Sequence, residues 1–283
     1  MLIFHHIHDL QRYLYRQRRS GQQVGFVPTM GALHAGHLSL LQAARRECNL
    51  VVVSIFVNPT QFNDRSDYEL YPRTTGADMG LLLQQDCDVL FLPTEEEIYP
   101  PGQPPTPAYL LGHLETLLEG AFRPGHFQGV CQVVDRLLVA VEPHFLYLGQ
   151  KDYQQCRVIQ QLLVLTNRPP GMLQIRDTVR EADGLAMSSR NQRLNAEERQ
   201  RAPGIYHALL YLQRHLLPGS LAALKQQAVA NLSSQGFRVE YVEVADAETL
   251  EIRNEWDGHQ KLVALIAAFN GPVRLIDNLI LTK

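Results

Sequence analysis

His34 and His37 stand three residues apart at the foot of a helical pattern, and Gly36 between them removes a side chain where a ligand could approach the backbone. Upstream, an apolar run stops at Pro28, and a glycine-containing turn over 29–36 leads into the pattern at 38–47, a helix expected to begin at about Gly36. The stretch reads as strand, loop, helix. The free N–H groups and positive dipole end of a helix start favour a phosphate. Two imidazoles there donate hydrogen bonds to phosphate oxygens without bringing a nucleophile, as nucleotidyl transfer requires and ester or peptide hydrolysis does not. The same HxGH spacing also suits a core or surface histidine pair beside a turn, so further motifs must decide.

Three other segments carry similar chemistry. Lys151, after Gly149, is a compact cation able to reach phosphates, and Asp152 suits either a helix cap or a ligand contact. Met187-Ser188-Ser189-Arg190 places two hydroxyls and a guanidinium together, a set suited to polyphosphate oxygens. Gln61 and Gln155 offer donor and acceptor atoms without charge, for a hydroxylated or carboxylate substrate or simply for solvent. Asp78 falls on a helical pattern and reads as a surface carboxylate in preference to a metal contact through phosphate. The segment 119–129, with three glycines, Arg123 and His126, reads as a loop that closes over a ligand or as a plain surface loop.

The elements that must position these groups alternate. A helix over 8–19 and strands over 23–27 and 50–57 flank the first loop, and the second strand is apolar enough to be buried on both faces. Further βα units follow with a helix at 75–85, a strand at 88–92, a helical pattern at 109–119, a helix at 130–141, a strand at 144–148, a helix to about 166 and a strand at 172–176. A proline-rich stretch at 100–107 is expected to be a surface connection. Repeated βα units predict a parallel sheet with right-handed crossovers. Each chemically loaded segment follows a strand at its carboxyl end or within a turn's reach, the ligand edge of such sheets. Beyond residue 177 the rhythm changes to helices at 195–217 and 221–232 and strands at 238–244, 261–268 and 273–281. The expected fold is α/β: a Rossmann-like parallel-sheet domain over 1–177 and a smaller C-terminal α+β domain over 178–283.

Composition sets the outer limits. The chain has 283 residues, 45% hydrophobic and 19% charged, with a formal net charge of −3, which fits a soluble globular protein and argues against a nucleic-acid surface. The basic run at 16–19 reads as a solvated helix face. The apolar stretch 262–269 is too short to span a bilayer and residues 1–20 lack a signal-peptide pattern, so a cytoplasmic location without membrane partners is expected. Cys48, Cys87, Cys131 and Cys156 form no CxxC pair and are expected to be buried free thiols.

PTMGALHAGH at 28–37, SIFVNPTQF at 54–62, YPRT at 71–74, RPGHFQGV at 123–130, GQKDYQQ at 149–155, VREADGLAMSSRN at 179–191 and RLIDN at 274–278 resemble the signatures of the pantoate beta-alanine ligase family, in that family's order and spacing. The resemblance covers nearly the whole chain. It places the chain in the nucleotidyltransferase superfamily, with His34-Ala35-Gly36-His37 as the HIGH-type and Met187-Ser188-Ser189-Arg190 as the KMSKS-type motif. It implies ATP-dependent joining of pantoate to beta-alanine through a pantoyl adenylate, with Mg²⁺, release of AMP and pyrophosphate, and a homodimer. It further implies His37, His34 and Lys151 as catalytic groups, His37 as a proton donor. ATP contacts would come from Met30, Gly31, Ala32, Leu33, His34, Ala35, Gly36, His37, Gly149, Gln150, Lys151, Asp152, Val179, Met187, Ser188, Ser189 and Arg190. Met30, Gln61 and Gln155 would bind pantoate and Gln61 beta-alanine, with the metal ligands unassigned. Gln150 replaces a more usual Glu and Thr60 a common Leu, which alters the shape of the nucleotide loop without touching the lysine, histidines or glutamines.

Overall fold

Residues 50–55 have no polar face, and a strand of that kind has to be covered on both sides. All six are buried, and they form an interior strand of a parallel sheet. The computed structural model describes residues 1–102 and 108–282; most of the proline-rich connection expected at 100–107 lies outside the described residues. The chain forms two compact units, Met1–Gln150 with Gln154–Asp177, and Lys151–Tyr153 with Thr178–Lys283.

In the first unit the strands are β1 (Leu2–Phe4), β2 (Val24–Thr29), β3 (Leu50–Ile55), β4 (Val89–Phe91), β5 (Phe145–Gly149) and β6 (Leu173–Arg176). They lie in the order β1-β4-β3-β2-β5-β6, every pair parallel. The parallel sheet expected from the βα rhythm is therefore present. The short edge strand β1 was not foreseen, since three residues carry no alternation to read. From β2 the chain moves outward to β3 and β4, then returns to place β5 on the other side of β2. The strand order reverses at the β2/β5 boundary, where such sheets open a ligand crevice.

β2 also continues through Pro28 to Thr29, past the expected stop. Pro28 has no N–H to give, but β2 pairs with β5 only at Gly25 and Phe26, and by Pro28 its recorded partner is β3 alone. The helices of this unit are α1 (Ile7–Arg19), α2 (Ala35–Glu47), α3 (Arg65–Glu69), α4 (Thr75–Gln84), α5 (Glu95–Ile98), α6 (Glu119–Phe122), α7 (His126–Val141) and α8 (Tyr153–Leu165). Leu40, Leu41, Ala43 and Ala44 of α2 and Leu82 of α4 share a core with Val27, Val51, Val53, Ile55 and Leu90. The alternate strand residues Phe26, Val52 and Phe91 are buried as well, and α7 packs against both α1 and β2.

Three readings from the sequence need correction here. The loop expected over 119–129 is largely helical, because α7 starts at His126 rather than 130, and the pattern at 109–119 yields only a 3₁₀ turn, Gly112–Glu115. In the basic run, Arg18 is not simply solvated: it donates to Val141 O at 2.9 Å and to Glu142 Oε2 at 2.9 Å, tying α1 to the end of α7.

In the second unit, β10 (Leu262–Asn270) lies between β8 (Arg238–Asp246) and β11 (Val273–Ile280), antiparallel to both, and the two-residue strands β7 (Gly219–Ser220) and β9 (Glu255–Trp256) pair separately. The helix expected over 195–217 is two, α9 (Ala196–Arg201) and α10 (Gly204–Arg214), because Pro203 lacks the N–H that would continue the ladder. α11 (Ala222–Ser234) packs against α10 and β8. Ile205, Leu209 and Leu212 of α10 close the core over Val244, Ala264 and Ile266.

Candidate active site

The turn after β2 is built from short polar links. Thr29 Oγ1 donates to Ser54 O of β3 at 2.8 Å and accepts from Gly31 N at 3.2 Å. Gly31 and Ala32 both have left-handed backbones, with φ of 81° and 48°. A β-carbon on Gly31 would lie 3.1 Å from Asp78 Oδ2 as well as being strained. Asp78, expected on a helix surface, is only 1% exposed. Its Oδ2 accepts from Ala32 N at 3.0 Å and its Oδ1 from Leu33 N at 2.8 Å and Thr74 Oγ1 at 3.1 Å. One carboxylate thus takes up the backbone donors of the turn and sets where the next helix starts. A signal was available: Asp78 and Leu82 are four apart on an otherwise apolar helix and share its buried face.

α2 begins one residue earlier than expected, with His34 as its N-cap. His34 Nδ1 accepts from Gly36 N at 3.1 Å, and His37 Nδ1 accepts from His34 N at 3.4 Å. This is a reciprocal capping box made from imidazoles. The rings lie 4.0 Å apart between centroids. With each Nδ1 acting as acceptor, a neutral ring carries its proton on Nε2. The first turn of α2 contains no acidic residue. Capping therefore engages Nδ1 of each ring, and the capping reading of HxGH does not exclude the phosphate-binding one.

Beyond β3, Asn58 is 1% exposed and organises the next corner. Its Nδ2 donates to Gly129 O and to Gln61 Oε1, each at 3.1 Å, while its Oδ1 accepts from Tyr99 OH at 2.8 Å. Gln61 Nε2 reaches Met30 Sδ at 3.2 Å, which brings two of the expected substrate residues together. The Gln61 carbonyl accepts from His126 Nδ1 at 2.7 Å and from Arg123 at 3.4 Å. A β-carbon on Gly129 would sit 2.3 Å from Thr60 O, so only glycine lets α7 pack this closely on residues 59–61. RPGHFQGV is thus a clamp on the Gln61 turn. Gln155 is half-buried in the first turn of α8 and, among the described residues, is not part of this hydrogen-bonded group. Its neighbour Gln154 is the structural amide, accepting from Glu119 N and donating to Leu114 O and Leu117 O, all at 2.9 Å.

At the end of β5 lie Gly149, with open space where a β-carbon would be, and half-buried Gln150. Within the second unit, Lys151 Nζ lies 3.5 Å from Asp152 Oδ1. Val179 O accepts from Met187 N at 3.0 Å, and Arg180 bridges Ala186 in antiparallel fashion. This short hairpin delivers residues 187–190. Ser188 caps the 3₁₀ turn Ser189–Arg193 by accepting from Arg190 N at 3.3 Å, and Ser189 is buried. The sequence assigns no individual role to Asn58, Asp277 or Asn278, and reads Asp78 as a surface carboxylate and His126 as part of a loop, because each acts through partners remote in the chain.

A parallel sheet that reverses its order beside a histidine-capped helix, in a chain that also carries a serine-arginine turn, is the framework of an α/β nucleotide-binding enzyme. Comparison with known proteins narrows this. The chain belongs to the pantoate-beta-alanine ligase family, whose model matches residues 2–280. It is 45% identical to a pantothenate synthetase of Bacteroides thetaiotaomicron over 283 residues, covering 99% of this chain and 98% of that one. A pantothenate synthetase of Chromobacterium violaceum is 46% identical over 270 residues, 93% and 94% of the two chains. Among solved structures, pantothenate synthetase from Thermus thermophilus superposes with a TM-score of 0.90 at 40% identity, covering all of both chains. A pantoate-beta-alanine ligase from Francisella tularensis, solved with beta-gamma ATP and beta-alanine, superposes at 0.80 with 37% identity over 99% of this chain and 97% of that one.

Proposed function

We propose that this protein joins pantoate to beta-alanine with ATP, through a pantoyl adenylate. The observation that carries the reading is the pair of imidazoles, His34 and His37, set 4.0 Å apart at the start of α2 with their Nδ1 atoms held by backbone N–H groups. In the first step the pantoate carboxylate attacks the α-phosphorus of ATP and pyrophosphate leaves. In the second the amine of beta-alanine attacks the activated carbonyl, AMP departs and the amine loses its proton. No side chain becomes acylated, so the residues have to align reactants and stabilise phosphate charge.

In this reading His34, His37, Lys151, Ser188, Ser189 and Arg190 serve the phosphates, with His37 the proton donor. Met30 to Gly36, Gly149 to Asp152, Val179 and Met187 serve the rest of the nucleotide. Met30, Gln61 and Gln155 hold pantoate, and Gln61 also meets beta-alanine. The contact between Gln61 and Met30 supports that grouping.

Mg²⁺ accompanies ATP as part of the substrate. The chain's own donors do not fit a resident metal: among the described residues there is no group of three or more His, Cys, Asp or Glu placed to hold one, and Asp78 is already engaged by three donors. We extend the reading to a cytoplasmic homodimer. The family resemblance supports it, and sedimentation together with localisation of a tagged chain checks it; among the described residues no helix is long and apolar enough to cross a membrane.

The central test is isotope exchange. Labelled pyrophosphate should enter ATP when pantoate is present and beta-alanine absent, and should not do so without pantoate. Adding beta-alanine should yield AMP in step with the amide. Exchange independent of pantoate, or a product that retains the adenylyl group, overturns the proposal.

A further inference from the structure

RLIDN is, like YPRT and RPGHFQGV, a sequence signature to which the proposed chemistry gives no role, and its last two residues are both buried, Asp277 at 4% and Asn278 at 2% exposure. Two consecutive buried polar residues on a strand point to opposite faces. Asp277 follows Val273 and Leu275 on the face turned toward the core of this unit. There it receives Arg180 in a two-pronged pair, NH1 at 2.6 Å and NH2 at 3.0 Å. The same guanidinium donates to Gly184 O at 3.1 Å and Asn278 O at 3.2 Å, and lies 4.0 Å from the centre of the Tyr206 ring. Gly184 turns the hairpin with φ of 94°, and a β-carbon there would fall 2.2 Å from Tyr206. Arg180 is therefore fixed from several sides, and the hairpin ending in residues 187–190 is fixed with it. On the other face of β11, Asn278 Nδ2 donates to the main-chain oxygen of Lys151 at 2.8 Å. Tyr153 OH adds a second tie, to Ala247 O at 2.6 Å.

We infer that Asp277 and Asn278 are positioning residues, one stretch of β11 holding the Lys151 main chain and the hairpin that carries residues 187–190 in fixed register. The inference rests on the proposal that Lys151 and residues 188–190 bind the phosphates of ATP. A bidentate buried ion pair is weak evidence of net stabilisation, whereas its geometry restricts where the hairpin sits. A single amide to a main-chain oxygen likewise restricts where a lysine starts from. The two phosphate-binding segments thus share one mount although 36 residues separate Lys151 from Met187 in the chain.

The test is a double-mutant cycle on the full chain, read as the affinity for Mg²⁺-ATP by calorimetry and as KM and kcat for pantoate-dependent pyrophosphate exchange. Asn278→Ala should weaken ATP binding about tenfold and leave KM for pantoate unchanged. Placed on Lys151→Ala, the same substitution should change ATP affinity by less than about twofold, because its effect runs through the lysine. Asn278→Ser, which draws the donor back from Lys151 O, serves as a milder variant read in the same way. Equal losses in both backgrounds, or unchanged ATP affinity in folded Asn278→Ala, overturn the inference while leaving the ligase reading intact. If Lys151→Ala itself binds ATP like the parent, the phosphate role of the lysine fails first, and the inference with it.

Discussion

Replacing Asp78 by Asn keeps the shape of the side chain and changes one atom, which allows the cost to be worked from the hydrogen bonds. The carboxylate accepts from Leu33 N and Thr74 Oγ1 on one oxygen and from Ala32 N on the other. An amide placed to keep the first two presents its NH₂ to Ala32 N–H, so two donors face each other in a site that is 1% exposed. A buried unsatisfied donor costs about 1–3 kcal/mol; taking roughly 2 kcal/mol, a domain of this size should melt about 4–8 °C lower. Thr29 Oγ1 still holds Gly31 N, so the turn should loosen rather than vanish. The start of α2 shifts with it, and pantoate-dependent pyrophosphate exchange should drop about tenfold or more, as expected when preorganised donors lose their aim. Scanning calorimetry and the exchange assay on the same preparation measure both quantities. A melting point within about 1 °C of the parent with undiminished exchange would refute the reasoning. So would an unchanged melting point with a raised Mg²⁺ requirement, which would make Asp78 a metal contact instead.

The other expected outcomes are simpler. His37→Ala should cut pyrophosphate exchange by about 10²–10³ while the helix start keeps the His34 cap on Gly36 N, so circular dichroism should show a folded protein; exchange at the parent rate would remove His37 from the chemistry. Gln155→Ala should weaken pantoate binding by about 1–3 kcal/mol with ATP binding little changed, and equal losses for both ligands by calorimetry would contradict its assignment. Burial pushes the thiols of Cys87 and Cys131 up to about 12, which leaves roughly one part in 10⁴ as thiolate at pH 8. Iodoacetamide should therefore spare both in the native protein and label them in urea, as peptide mass spectrometry can show; rapid native labelling of either would mean its surroundings open readily.

Periodicity and punctuation made the repeated βα units, the strand β3 buried on both faces and the change of grammar after residue 177 legible without coordinates, because each depends on neighbours within a few residues. The motif order likewise sufficed to recognise the family. Local patterns misled where a single residue overrode them, as Pro203 did in splitting α9 from α10. Only tertiary structure decided which strands lie side by side, and hence that the order reverses between β2 and β5. It also decided that Lys151 to Tyr153 group with the second unit. Asp78 shows the physical reason most directly. A carboxylate on a helix looks solvated in sequence, and becomes a structural acceptor only when backbone donors more than 40 residues upstream arrive at its two oxygens. Likewise, nothing near Asn278 in sequence announces that its amide meets the main chain of Lys151, 127 residues away. Propensity acts over a turn of chain, whereas burial and hydrogen-bond satisfaction depend on which distant segments the fold brings together.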